Sequence, residues 1–548
     1  MEILDVVVVG AGTAGLPCAI ELAQAGARVT VLEKDARIGG TLHGTGGQMS
    51  ASRSRLQAAK GIADSPDDHL ADIMRIGRAK ADPAIARTAV ELAPDTLAWL
   101  EDLGLRLPDD QPVLYYGHDP YSIPRTYWPP EMGVGILAVL EPVFAAHVDA
   151  GRIDLRLGHA LAELIVEDGR VAGVRADGPE GRVELRARAV VLATGGYAAS
   201  RALFDELHPG LDVVLGGYAT STGDGLRAAR RAGAAVRNTE CHLSSAGGIE
   251  TGPEPGTGSI WEAFANTNAS FRVPREIFVN ARGERFVAED EPSQDHQERV
   301  LQAQGGRSWL VFDEAAIDED ESVIIGWSAE MLRAQADAGD GVVSRAGTIE
   351  ELARMAGIDP AGLARTVAGW NAICEAGHDP LGRKALNWPI RTPPFYAVRT
   401  GGIALLSFAG LAVDGELRVL DAAGAPIPGL YAAGEILGAG ATMGAGFCSG
   451  MAVTPAIGFG RLLGRRLAPS PSPAGGGGDG VRRRRRGCRH GRDAVRDRSR
   501  RARRPGRRDR EGRGRRRGAA PVGRADERLG VATAAIEGHR RHARAPPR

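Results

Sequence analysis

Lysine is almost missing from this chain: four occur in 548 residues, so Arg carries nearly all of the positive charge. Cysteine is scarce and scattered. Cys18, Cys241, Cys374, Cys448 and Cys488 are odd in number and contain no Cys-x-x-Cys pair, which argues against a disulfide framework and against a zinc site. No metal is expected. No run of about eighteen apolar residues occurs, so no membrane span is expected. The chain enters a strand-like run almost at once, without a leader pattern, and a cytoplasmic protein is the expectation. Net charge is also missing, but the zero hides an asymmetry. Residues 481–548 hold 26 Arg, no Lys and seven acids, which leaves 42 basic and 61 acidic residues in 1–480. An acidic body argues against nucleic acid as its main partner.

What is present falls first into a body and a tail. Residues 469–480 are mostly Pro, Ser and Gly, a linker composition, and Arg482-Arg483-Arg484-Arg485-Arg486 follows. The remainder has almost no apolar periodicity and is expected to be disordered. It reads either as a polybasic arm or as a non-functional extension, such as a GC-rich reading frame out of register. The second reading is preferred.

The chemistry is carried by three distant stretches. In the first, Leu4 to Val9 is a Val-rich run suited to a strand buried on both faces. Gly10-Ala11-Gly12-Thr13-Ala14-Gly15 follows, then a helical pattern from about Thr13 to Ala25 that ends at Gly26. Arg28 to Leu32 is a second strand, and Glu33 closes it. Gly10 permits the tight turn, Gly12 lets the backbone approach a pyrophosphate, and Gly15 lets the helix sit close to the sheet. The phosphates then meet the helix N-terminus, and the Glu33 carboxylate accepts hydrogen bonds from ribose hydroxyls. The second stretch is Ala193-Thr194-Gly195-Gly196, and the third is Gly429-Leu430-Tyr431-Ala432-Ala433-Gly434-Glu435. In this order and spacing they describe an FAD-binding, two-domain oxidoreductase. The fold class expected is α/β. A Rossmann-like FAD-binding domain (1–235 and 395–467) carries an inserted α+β domain (236–394), and a disordered basic tail (468–548) follows.

The order of GxGxxG, ATGG, Gly223-Asp224-Gly225, insertion and GLYAAGE resembles the fumarate reductase and succinate dehydrogenase flavoprotein superfamily over about residues 1–467. Phe278-Val279-Asn280, Gly283-Glu284-Arg285-Phe286-Val287 and Pro394-Phe395-Tyr396-Ala397 are further landmarks. The resemblance implies a cap that closes substrate over the flavin. It places Gly10, Gly12 and Gly15 at the pyrophosphate and Glu33 at the adenosine ribose. Gly39, Gly40, Thr41 and Gly47 fall along the ribityl and isoalloxazine region. Thr194, Gly195 and Asp224 line the adenine side or close the domain, and Glu435 reaches the ribityl chain. Met451, Ala452, Val453 and Thr454, at the start of the last helix, face flavin N1 and O2. Members that bind FAD covalently do so through a His six residues before a Gly-Gly pair. His43 precedes Gly46 by three, so it reads as a loop residue and the FAD as non-covalent.

The catalytic set of the fumarate reductases is largely replaced. Their proton-donating Arg falls where this chain has Ser293, and their paired His falls at Leu405-Leu406. Their Asn-Arg-Leu-Gly-Gly is Gly446-Phe447-Cys448-Ser449-Gly450, and their His-Pro-Thr is not found in Glu240-Cys241-His242-Leu243-Ser244. Dicarboxylate recognition needs paired cationic donors, so fumarate and succinate are not expected as substrates. In their place stands an aromatic, Pro-rich loop from Tyr115 to Trp128, with four of the chain's eight Tyr. Such a loop suits a pocket wall. His118 and Tyr121 are its candidates for proton transfer, and His242, Ser293 and His296 are further ones. The leading expectation is an FAD-dependent desaturase or ene-reductase acting on a ketone, a steroid- or terpenoid-like ring or a specialised metabolite, with an unidentified electron donor or acceptor. The alternatives are a flavin oxidase of amines or alcohols and a catalytically silent flavin-binding subunit.

Overall fold

The structure, a computed structural model, describes residues 3–469 apart from 253, 261, 266, 268–271, 292 and 318–321. The expectations for the basic tail lie outside the described residues.

Strand β1 (Leu4–Val9) leads through α1 (Gly15–Gln24) to β2 (Val29–Leu32), and Val6 to Val9 are buried on both faces as the apolar run requires. β3 (Ile153–Arg156) extends the sheet beyond β2. On the other side of β1 lie β4 (Gly181–Leu192) and then β5 (Pro426–Ala432), all parallel, in the order β5-β4-β1-β2-β3. The chain leaves β1 towards β2 and later returns on its opposite side at β4. The carboxyl ends of β1 and β4 therefore flank a topological switch point, where open α/β sheets bind ligands. The last helix, α2 (Val453–Leu467), lies against α1. Gly460 and Gly464 leave room for the backbone of Ala14 and Cys18, and Arg461 pairs with Glu21 at 2.8 Å and Asp95 at 2.9 Å.

A second sheet forms the cap. Its central strand, Phe395–Ala404, pairs antiparallel with Arg307–Asp313, Val343–Ala346 and Ser245–Gly248, and parallel with Val213–Leu215. The expected domain boundary at 394 is thus displaced: residues 395–404 belong to the cap sheet, and so does the strand at 213–215. A buried apolar strand fits either sheet, and its choice of partner is made by non-local pairing that the local pattern does not carry. The cap has its own cores, one of them built on Trp370, which is flanked by the guanidinium groups of Arg285 and Arg383.

Among the described residues one helix, Met132–Asp149, is long and apolar enough to cross a membrane by length and composition alone, although Glu141, His147 and Asp149 interrupt its apolar run. It lies beside α1 and buries Ile136, Leu137, Leu140 and Phe144, the packing of a core helix.

Candidate active site

At the end of β1 the chain turns at Gly10, whose φ is +104°. A Cβ on Gly10 would strike the Ala193 carbonyl, and one on Gly15 the Gly10 carbonyl, so strand, helix and β4 come together only because these are glycines. Gly12 is different. The protein atoms nearest to a Cβ there are Gly40 Cα at 3.8 Å and the Gly39 carbonyl at 3.9 Å, so packing does not demand glycine. α1 also starts with no side-chain cap at Ala14, leaving its first N–H donors unclaimed by side chains. An open glycine cradle beneath a bare helix N-terminus fits a diphosphate.

The other cofactor residues gather at the same strand ends. Gly39 donates its N–H to the Ala11 carbonyl at 2.8 Å, and the hydroxyls of Thr13 and Thr41 lie 3.4 Å apart, so Gly39, Gly40 and Thr41 border the first turn. Glu33 accepts the N–H of Ala11 at 2.8 Å and of Asp35 at 2.9 Å, which fixes its carboxylate beside that turn. Thr194 Oγ1 is buried without a partner, and Gly195 faces open space, with Ser221 Oγ 3.8 Å from a Cβ placed there. Asp224 accepts from Lys34 Nζ at 2.6 Å and from Thr222 Oγ1 at 3.1 Å. The contact with Lys34 ties the chain just past β2 to the start of the helix Asp224–Arg231. Glu435 accepts the Ser407 N–H at 2.9 Å above Gly196, where a Cβ would meet its carboxylate. Desolvation raises the Glu435 carboxyl above its ordinary range.

Two positions serve backbone contacts. A Cβ on Gly47 would lie 2.5 Å from the carbonyl carbon of Met132, so this glycine admits the neighbouring helix. Thr454 Oγ1 accepts the Ser50 N–H at 2.9 Å, and the Met451 and Val453 side chains are buried in the core. Met451 N–H donates to the Cys448 carbonyl and Thr454 N–H to that of Gly450, so the backbone N–H groups of Ala452 and Val453 are the ones left for a flavin at an α2 start that has no side-chain cap. His43 donates Nε2–H to the Ile38 carbonyl at 2.8 Å, an ordinary loop contact.

The aromatic loop is held from below. Arg125 is buried and pairs with Asp64 at 2.7 Å and Asp72 at 2.5 Å. Tyr121 is turned inward against Arg125 and donates its hydroxyl to the Ser449 carbonyl at 2.6 Å. Burial pushes its phenol well above the usual value. The expectation that Tyr121 exchanges a proton is withdrawn on geometry: that role needs a hydroxyl that reaches the substrate, and this one is buried and spent on a backbone carbonyl. Tyr121→Phe should instead cost about 1–3 kcal/mol of stability by leaving a buried carbonyl unpaired. A thermal melt checks the loss, and the catalytic pH profile should keep its shape.

His118 is turned the other way. Its Nδ1 lies 2.8 Å from Asp295 Oδ1 in the cap helix Gln294–Ala303, and its ring sits 4.1 Å from that of Phe447 at an interplanar angle of 34°. Tyr115 flanks the His118 ring, with its own phenol pushed up to about 12 by burial. Ser293 caps the cap helix, accepting from the His296 N–H, and donates its hydroxyl to Asp119 at 2.9 Å. Asp119 also meets Arg299 at 3.5 Å. His296 is exposed and lies outside this cluster. Sequence reasoning missed Asp295, although Asp295, Glu298, Arg299 and Gln302 repeat at the spacing of one helical face.

That same helical face borders a cavity of about 480 Å³, lined also by His208, His242 and Ser244, with Arg78 and Glu240 among its exposed residues. His208 Nε2 is 2.8 Å from the Tyr197 hydroxyl, and Tyr197 follows the Gly195-Gly196 turn, which ties the cavity wall to the cofactor end of β4. Both ring nitrogens of His242 are buried without a hydrogen-bond partner, and burial lowers its pKa to about 3.

A dinucleotide cradle at a sheet switch point, a second site element at Glu435 and a cap over them define an FAD-dependent oxidoreductase. The FAD binding domain family matches residues 5–450, and the chain belongs to it, within the fumarate reductase and succinate dehydrogenase flavoprotein superfamily. It is 31% identical over 477 residues to a "Fumarate reductase (cytochrome)" of Shewanella frigidimarina, covering 85% of this chain and 77% of that one. It is 28% identical to a "Vinyl phenol reductase" of Lactiplantibacillus plantarum, covering 79% of this chain and 89% of that protein. Among solved structures it is similar to the open conformation of a flavocytochrome c3 fumarate reductase, with a TM-score of 0.67 and 27% identity over 85% of this chain and 78% of that one. The cofactor is FAD.

Proposed function

We propose that this protein adds or removes hydrogen across a carbon–carbon bond that is conjugated with, or adjacent to, an uncharged activating group, with His118 exchanging the proton and Asp295 holding it. Bound FAD supplies the hydride donor or acceptor. The observation that carries the reading is the His118–Asp295 contact at 2.8 Å, which joins a loop of the FAD domain to the cap helix beside Phe447. Bonded through Nδ1, His118 keeps Nε2 for the substrate, and the carboxylate fixes both ring orientation and tautomer. The relatives named above act on unsaturated carbon, as fumarate and vinyl phenols are. Proton transfer at that position supports the same class of reaction here.

The uncharged group follows from the cations. Three arginines that could stand in for the missing cationic set, Arg125, Arg275 and Arg399, are engaged elsewhere. Arg125 is buried between two aspartates, Arg275 lies over Trp388 at 4.7 Å, and Arg399 faces Glu250 at 3.6 Å. Around His118 stand Phe447 and Tyr115 instead. Stacking walls of this kind favour flat conjugated systems over small dicarboxylates.

Dye-linked turnover with a reduced viologen tests the proposal. The enone benzylideneacetone should be reduced at least about tenfold faster than fumarate. Fumarate turnover in the ordinary enzymatic range, about 1–1000 per second, would overturn the choice of an uncharged substrate.

A further inference from the structure

His118 and Asp119 are consecutive in the aromatic loop, and one end of the cap helix Gln294–Ala303 binds both. Asp295 takes a donor on each carboxylate oxygen: the His118 ring on Oδ1 at 2.8 Å and the Asp119 N–H on Oδ2 at 3.3 Å. Asp119 returns the contact. Its Oδ1 accepts the Ser293 hydroxyl at 2.9 Å, and its Oδ2 faces Arg299 at 3.5 Å. Ser293 is itself the N-cap of the cap helix. The two carboxylates therefore cross. Asp295 of the cap binds the loop, and Asp119 of the loop binds the cap at the helix end whose dipole favours negative charge.

The crossing has a geometric consequence. The terminal torsion of an Asp side chain is soft, so a carboxylate held on one oxygen swings and takes its imidazole with it. Held on both oxygens, Asp295 presents Oδ1 to His118 in one direction. Phe447 and Tyr115 flank the ring, which limits its tilt but does not choose between its nitrogens. That choice falls to Asp295, and the second donor on Asp295 stays in place while the Asp119 side chain is anchored. The Arg299 pair is part-exposed on both sides and adds little. The Ser293 hydroxyl is the anchor.

We propose that Asp119 is a positioning residue for proton transfer: anchored to Ser293, it sets the Asp295 carboxylate and through it the His118 ring, so that Nε2 is aimed while loop and cap are joined. The inference rests on the reading of His118 as the proton carrier. It differs from a merely structural contact between loop and cap in acting through one imidazole.

A double-mutant cycle separates the two. The FAD-loaded protein, reduced by two electrons, is mixed with benzylideneacetone, and flavin absorbance follows reoxidation. Asp119→Ala should slow it about tenfold, since a displacement of roughly 1 Å at a reacting group costs up to about 10²-fold. FAD content should stay whole. Asp119→Asn, which keeps an oxygen for Ser293, should recover most of the rate. In a His118→Ala background Asp119→Ala should cost nothing further, because the group it positions is gone. Nitrogen NMR of the oxidised, histidine-labelled protein gives a readout without turnover: neutral His118 should hold the Nδ1–H tautomer in the wild type and lose that preference in Asp119→Ala. An unchanged rate or tautomer in Asp119→Ala would overturn the proposal, as would a full further loss of rate in the His118→Ala background. If instead the tautomer shifts while His118→Ala reoxidises at the parental rate, the positioning stands and the proton-transfer role of His118 falls.

Discussion

Gly12→Val should yield a folded protein that binds no FAD. At most glycines of the nucleotide turn, substitution would wreck the fold before it touched the ligand, because the new Cβ strikes backbone: Gly15 meets the Gly10 carbonyl and Gly10 meets that of Ala193. Gly12 is the exception. A Cβ there lies 3.8 Å from its nearest protein atom, ordinary van der Waals distance, so the apoprotein should melt within a few degrees of the wild type. The same Cβ and its two methyls would occupy the cradle that a diphosphate fills under the uncapped start of α1. Absorbance at the flavin band and the melting temperature of the purified variant check both halves. The flavin of the wild type should be released by acid or heat, since His43 is spent on Ile38. Full FAD retention by the Val variant would mean that the phosphates lie elsewhere.

The second large effect is expected at His118. Removing a positioned acid or base slows proton-coupled steps by about 10²–10⁴-fold, so His118→Ala should slow flavin oxidation by an enone by that order while FAD content stays whole. None of the cofactor contacts described above involves its side chain, and the effect should fall on the rate constant rather than on loading. Asp295→Asn should cost less, since it removes the group that orients the ring and leaves the ring itself. Stopped-flow traces at 450 nm, a generic flavin wavelength, read both variants. An unchanged rate in His118→Ala would make the aromatic loop structural and move the search to His242.

The first βαβ unit was legible because each of its constraints is local: a buried valine run, a glycine turn, a helix and an acid within about thirty residues. The cap boundary was not. Phe395–Ala404 is apolar enough for either sheet, and only its pairing with Arg307–Asp313 assigns it. Aromatic density marked the Tyr115–Trp128 loop, yet it says nothing of which ring turns inward. Tyr121 was drawn under the loop by Arg125, whose own buried partners lie about fifty and sixty residues back. Asp295 stands 177 residues from His118, too far for spacing to join them.

The central claim, that this flavoprotein passes hydrogen to or from a carbon–carbon bond, is tested most directly by one anaerobic single turnover. The protein is reduced to two electrons per FAD and mixed with one equivalent of benzylideneacetone. The flavin absorbance should return in full, and one saturated ketone should form for each flavin reoxidised. A flavin that stays reduced with this and other conjugated alkenes, yet reoxidises at once when oxygen is admitted, would contradict the account and make the protein an oxidase.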